Sequence, residues 1–276
     1  MTVRVAIMAA PRAATPHPIV HVLRSLADHE SEIPLEDIGI FADTPELPDL
    51  GAPRNRRWRE MFRTHRAMPY FTRTRSAAEL AELRAAGVRF ALLTLCEAIE
   101  WCCERDFGAV LEDDVSFSGN KPITWGMRWV SQVEAELGGV VLSLHDLYGS
   151  REFTDLARPR YKCGDGMVLY EAGERYFANG SQIHLFSAAS GRRVAARIRE
   201  YIAKAPEGWP GPHIPYLDVS WLLAARTLAM PYLITRDCIV MHDNLSNSTW
   251  AFEPGGDEAT NIFWKEARRT KRFQIL

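Results

Sequence analysis

What most limits the fold of this chain is how its first half alternates short, β-branched apolar runs with longer stretches of helical periodicity. "VRVAIMAA" (3–10), "DIGIFAD" (37–43) and "FGAVLEDD" (107–114) have the length and composition of buried strands. Between them, "IVHVLRSLADH" repeats apolar residues at helical spacing. "SAAELAELRAAGVRFALLTLCEAIEWCCERD" (76–106) is the strongest helical stretch, with Ser76 as N-cap and Gly87 dividing it in two. Such alternation implies an α/β fold: a mixed, mostly parallel sheet flanked by helices, with ligands collecting at the carboxyl ends of the strands.

The second half mixes its elements more freely. "ITWGMRWVSQVEAEL", "AASGRRVAARIREYIAK" and "LDVSWLLAARTL" read as helices. "GGVVLSLHD", "YKCGDGMVLYEA", "NGSQIHLFS" and "PYLITRDCIVMHD" read as strands, and residues 44–75 as a long loop carrying one short helix. With no internal repeat and no linker, one domain over 1–276 is expected.

The chain is 47% hydrophobic and 25% charged, the balance of a soluble globular protein, and it has no apolar run long enough to span a bilayer. A cytoplasmic location is the default expectation. Five cysteines without a C-x-x-C pair point to reduced, packed thiols rather than a zinc site or a disulfide framework. The net charge of −2 hides an asymmetry: residues 54–75 hold eight arginines and one acid, a local +7 that leaves −9 for the remainder. That contrast suggests an anionic partner near the basic stretch.

"GAVLEDDVSF" raises the chemical question. A buried run ends in Glu112, Asp113 and Asp114, and three adjacent carboxylates repel one another unless a positive group sits among them. Carboxylate oxygens on a short turn suit a hard divalent cation, Mg²⁺ or Mn²⁺, which completes its shell with phosphate oxygens. The competing reading is a solvated acidic turn.

Strand, "LEDD" and renewed apolar residues resemble the acidic motif of GT-A fold glycosyltransferases. The version here is similar to the E-D-D form of N-acetylglucosaminyltransferases and of the family that includes lipooligosaccharide galactosyltransferases. Further elements fall in matching order. "VAIMAAPR" resembles the first strand and its nucleotide-contacting loop, with Arg12 as the contact. "GIFAD" resembles the second strand, where an acid, here Asp43, meets base or ribose. "YLDVSWLL" resembles the element carrying the catalytic base of inverting members, making Asp218 the candidate, and "IVMHDNLSNST" resembles the segment whose histidine, here His242, ligates the metal. The resemblance implies a nucleotide-binding half at about 1–118 and an acceptor-binding half at about 119–276. It further implies a UDP-sugar donor, Mn²⁺ or Mg²⁺ on Asp114 and His242, Glu112 and Asp113 on the donor side, and transfer with inversion.

Each residue also has a plainer role open to it. Arg12 can cap a loop, Asp43 can be a turn residue before Thr44-Pro45, Asp218 can be an N-cap, and His242 can be a surface histidine. The arginine-rich stretch matches neither subgroup. Arg54, Arg56, Arg57, Arg59, Arg63 and Arg66, interleaved with aromatics, have the composition of an acceptor or polyanion site. They are compatible with phage and TET/JBP-associated enzymes that glycosylate hydroxymethylated DNA bases. A glycan acceptor is equally open; arginines paired with the chain's own acids, and one or two arginines on the donor diphosphate, together rank ahead of DNA binding. Two further functions compete: a nucleotidyltransferase, for which "AAPRAATP" lacks the expected Gly-rich phosphate loop, and a non-catalytic nucleic-acid-binding protein using 54–75.

Overall fold

A computed structural model describes residues 1–9, 19–43, 71–85, 90–117, 121–144, 157–173, 183–204, 217–235 and 240–242. Four strands at one side of the main sheet lie parallel: β1 (Val3–Ala9), β2 (Ile38–Ala42), β3 (Phe71–Thr74) and β4 (Phe107–Glu112). β1 lies between β2 and β4, with β3 outside β2. β9 (Ile183–Ser187) then runs antiparallel between β4 and β6 (Val141–Ser143). β10 (Tyr232–Thr235) is parallel to β6, and β8 (Val168–Ala172) and β7 (Ala157–Lys162) close the far side as an antiparallel pair. Seven of the nine strands thus share one direction, and only β8 and β9 oppose it. This is the α/β class, with its mixed and mostly parallel sheet, that the sequence implies.

The alternating side chains of each strand build two cores. Val5 and Ile7 of β1, Ile38 and Ile40 of β2, Ala109 and Leu111 of β4, and Leu185 of β9 face one layer. That layer holds α1 (Ile19–His29), through Val22, Leu23 and Leu26, and α4 (Pro122–Leu137), through Ile123, Met127, Val130 and Val133. Ala6, Phe41, Val110, Phe186 and Ile234 face the other layer, made of α3 (Phe90–Cys102), α5 (Ala188–Ala203) and α6 (Leu217–Thr227). Strands covered on both faces need apolar residues at nearly every position, which is why "VAI", "GIFA" and "GAVL" read as continuous runs.

Local chemistry sets the ends of several elements. α2 (Ala77–Ala85) starts at a reciprocal capping box: the Glu79 amide donates to Ser76 Oγ at 3.2 Å, and the Ser76 amide donates to Glu79 Oε2 at 2.7 Å. α4 ends where Gly138 adopts φ 69°, a left-handed conformation that suits glycine.

Three expectations are corrected. Residues 71–74, read as part of a long loop, form edge strand β3. "YKCGDGMVLYEA" is not one strand: its Cys163-Gly164-Asp165-Gly166 turn, with Gly166 at φ 92°, folds it into part of the β7–β8 hairpin. "PYLITRDCIVMHD" likewise contains two strands, β10 and β11 (Val240–His242), which belong to different sheets.

Candidate active site

The parallel registers bring the carboxyl ends of β3, β2, β1 and β4 to one rim. Thr74 pairs with Ala42, Ala42 with Ala9, and Met8 with Glu112. The chain builds outward from β1 through β2 and β3 on one side and through β4 on the other. β1 and β4 therefore flank the switch point, outside whose carboxyl ends α/β sheets open a crevice. The acidic turn stands there.

Glu112 is the last residue of β4 and half-buried, while Asp113 and Asp114 in the following turn are only 1% and 2% exposed. That burial removes the solvated-turn reading for the two aspartates. After the turn, β5 (Val115–Phe117) pairs antiparallel with β11, in a register that sets His242 opposite Val115. The backbone of residue 242 is thus across the ladder from the neighbour of Asp114, although 128 positions separate 242 from 114 in the chain. α1 supports this frame from below, its Ser25 Oγ accepting a long hydrogen bond of 3.4 Å from the Phe117 amide.

Asp43, directly after β2, meets a network the sequence does not announce. Thr94 of α3 donates its hydroxyl to Asp43 Oδ1, and Arg75 Nε lies 3.4 Å from the same oxygen. Arg75 Nε also donates to Thr94 Oγ1 at 3.1 Å, and its Nη2 lies 3.0 Å from Glu97 Oε1. Arg73 joins from the end of β3, 3.7 Å from Glu97 and 3.3 Å from Glu79. Burial pushes the Asp43 carboxyl above its ordinary value, while the Thr94 hydrogen bond and the Arg75 charge pull it back. Of the eight arginines of 54–75, Arg75 is therefore taken up inside the protein, only 5% exposed, while Arg73 pairs with the acids from a partly exposed position.

Asp218 lies in the first turn of α6, which begins at Leu217, so it is not the residue preceding the helix as an N-cap would be. One turn further on, Trp221 stacks flat on His184 of β9 with ring centroids 4.5 Å apart. His184 is fully buried, shares a 2.8 Å hydrogen bond with the Tyr232 hydroxyl, and pairs across the ladder with Val110, two residues before Glu112. The backbone of residue 218 is thus one helical turn from a side chain touching the strand beside β4.

Arg12 and Arg54, Arg56, Arg57, Arg59, Arg63 and Arg66 lie outside the described residues, and His242 is described by its backbone alone. Among the described residues no group of three or more His, Cys, Asp or Glu is arranged to hold a metal ion. The donor set that is described, carboxylate oxygens of Asp113 and Asp114 held in one buried turn, is of the hard type that Mn²⁺ and Mg²⁺ prefer.

Among the described residues, thiol chemistry does not contribute to the site. Cys96, Cys102, Cys103 and Cys163 are buried, and burial pushes Cys96 and Cys163 up to about 12 and Cys103 to about 11. At neutral pH they are inert core residues. No described helix is long and apolar enough to cross a membrane.

No family model and no curated protein matches the chain. Among solved structures it is similar to a mannosyltransferase from Pyrobaculum calidifontis, in complex with GDP-mannose and Mn²⁺, at 12% identity and a TM-score of 0.49. That match covers 98% of this chain and 65% of the other. It is also similar to GalNAc-T7 with UDP, GalNAc and Mn²⁺, at 9% identity and a TM-score of 0.49, over 97% of this chain and 50% of that one. A third likeness is to a mannose-1-phosphate geranyltransferase from Thermus thermophilus, at 12% identity and a TM-score of 0.44, over 85% and 74%. Likenesses this distant decide neither reaction nor substrate.

Proposed function

We propose that the chain is a glycosyltransferase of the GT-A type, acting as one catalytic unit over residues 1–276. In this reading it moves a sugar from a nucleotide-sugar, with UDP as the expected carrier, to an acceptor hydroxyl. One observation carries the reading: a buried acidic turn at the sheet's switch point, closed by a strand pair that brings residue 242 beside it.

The roles follow from charge. A donor diphosphate approaching Glu112, Asp113 and Asp114 is repelled unless a cation intervenes. Mn²⁺ or Mg²⁺ held by Asp114 and His242 would supply that charge and stabilise the departing diphosphate. Asp43 accepts a hydrogen bond from the nucleoside, and Arg12 meets the nucleotide. Asp218 takes the proton of the attacking hydroxyl on the face opposite the leaving group, which gives inversion. The acceptor is a glycan or a hydroxymethylated DNA base, and Arg54 to Arg66 are the groups that would favour a polyanion.

The test is a thermal-shift screen of UDP- and GDP-sugars with and without Mn²⁺, because a ligand that binds only the folded state at 100 times its Kd stabilises it by about 2.7 kcal/mol. A rise in melting temperature requiring both sugar nucleotide and Mn²⁺, and lost in Asp114→Ala, is expected. Turnover then identifies the reaction: release of a nucleoside diphosphate marks glycosyl transfer, whereas release or consumption of pyrophosphate marks a nucleotidyltransferase. No stabilisation by any sugar nucleotide, or full activity of Asp114→Ala in EDTA, overturns the proposal.

A further inference from the structure

Two protein contacts on Asp43 converge on a single oxygen. Thr94 Oγ1 donates to Oδ1, and Arg75 Nε approaches the same atom at 3.4 Å. Among the described residues no hydrogen bond or ion pair reaches Oδ2. A carboxylate whose role is only to neutralise a buried arginine is best served by the two-pronged geometry in which both oxygens meet the guanidinium. Here the other prong of Arg75 goes to Glu97 instead, at 3.0 Å, and Arg73 balances Glu97 and Glu79 in turn. The clamp fixes the carboxylate's rotation and, among the described residues, leaves its second oxygen without a hydrogen-bond partner at the rim beside the switch point.

The charges say what that oxygen can take. Among the described residues the titratable groups around it are Arg75 and Arg73 against Asp43, Glu97 and Glu79, with the Arg199–Glu100 pair beside Glu97 adding no net charge, an excess of one negative charge. Such a cluster repels phosphate and favours a neutral hydrogen-bond donor, such as a sugar hydroxyl or a base N–H. We infer that Arg75, acting through Asp43 and together with Thr94, is a positioning residue for the nucleoside part of the donor, holding the carboxylate charged and aimed at that neutral group. The inference rests on the nucleotide-sugar reading above. Burial working against the charged form of Asp43 explains why the clamp is needed.

The experiment measures UDP and GDP binding by calorimetry at fixed Mn²⁺ from pH 5.5 to 8, for the wild type, Asp43→Asn, Arg75→Met and Arg75→Lys. Asp43→Asn and Arg75→Met are expected to weaken the better-bound nucleotide about tenfold or more, the scale of a hydrogen bond to a charged group. The informative quantity is the ratio of Arg75→Met to wild-type Kd, because the titration of the phosphate cancels. With Arg75 gone, Asp43 binds its proton at higher pH, so the ratio should be largest at pH 5.5 and fall as pH rises. Arg75→Lys, which keeps the charge, should hold the ratio flat. An unchanged affinity, or an equal loss at every pH shared by Arg75→Lys, is the signature of a structural residue and refutes the inference. Should Arg75→Met not fold, Thr94→Val with ¹³C titration of the Asp43 carboxyl decides: an unmoved titration refutes the clamp and an upward shift supports it. A wild-type protein that binds neither nucleotide fails earlier, at the proposed function, and the inference goes with it.

Discussion

Glu30 offers a quantitative test of how the frame around the acidic turn is held. It is 2% exposed, follows α1, and its carboxylate reaches the start of α4, which has no side-chain cap of its own. It accepts from the Ile123 amide at 2.6 Å, the Thr124 amide at 3.3 Å and the Thr124 hydroxyl at 2.6 Å. Replacing Glu30 by alanine strands the Ile123 amide, since Ile123 is fully buried, whereas half-buried Thr124 can recover water. An unsatisfied buried donor costs about 1–3 kcal/mol, and losing a negative charge at a helix start about 0.3–1 kcal/mol more. Relief from burying the carboxylate offsets part of this, so Glu30→Ala should cost about 2 kcal/mol, a melting-point loss of roughly 5 °C at this chain length. Burial holds the Glu30 carboxyl above its ordinary value, against the hydrogen bonds from Thr124 and Ile123 and the Lys121 charge. The folded state therefore binds this proton more tightly than the unfolded chain. The stability Glu30 contributes is full below the unfolded value and declines as pH rises through the folded one. Circular-dichroism melts between pH 4 and 8 should show the Glu30→Ala deficit shrinking with rising pH, and Glu30→Gln, which keeps an acceptor, losing less. A deficit under about 1 °C, or one that grows with pH, refutes the reasoning.

Two further outcomes can be stated. Asp218→Asn should bind donor as the wild type does yet transfer sugar at least a hundredfold more slowly, the scale of general-base loss; unchanged turnover removes Asp218 as the base. Gly108→Ala should destabilise by about 1–3 kcal/mol in urea titrations, because the new methyl would sit 2.4 Å from Phe186 Cε2 and 2.6 Å from Cys102 Cβ; an unshifted midpoint would mean that the contact between α3, β4 and β9 is slack.

The parts of the fold that could be read in advance are those written by local pattern. Strand runs such as "VAI" and "GAVL" are covered on both faces, and Ser76 with Glu79 states a helix start in four residues. The place of Glu112 at the carboxyl end of a strand follows from the same strand reading. Strand order is different, because ladders join distant segments: nothing in "QIHLFS" announces that β9 enters antiparallel between β4 and β6. Short strands escaped for a related reason, since "FTRT" has too few apolar residues to signal β3 and gains its place only from pairing with β2. The Asp43 clamp was hidden likewise. Thr94 is a small polar residue inside a mostly apolar helix, and Arg75 looked like one more member of a basic stretch; only folding brings them together. His184 is a polar residue within a strand whose partners Trp221 and Tyr232 are about forty residues further along the chain, so its buried network was equally hidden.

The pairing of β5 with β11 has a consequence for how the protein is made. The segment that locks the acidic turn is synthesised more than a hundred residues after the turn itself. A nascent chain can assemble β1, β2 and β4 early, but the loop bearing Asp113 and Asp114 has to wait for residues 240–242 to leave the ribosome and fold back onto it. The site is therefore among the last regions to set, and a chain cut short before residue 240 would keep most of its sheet while leaving that loop unfastened.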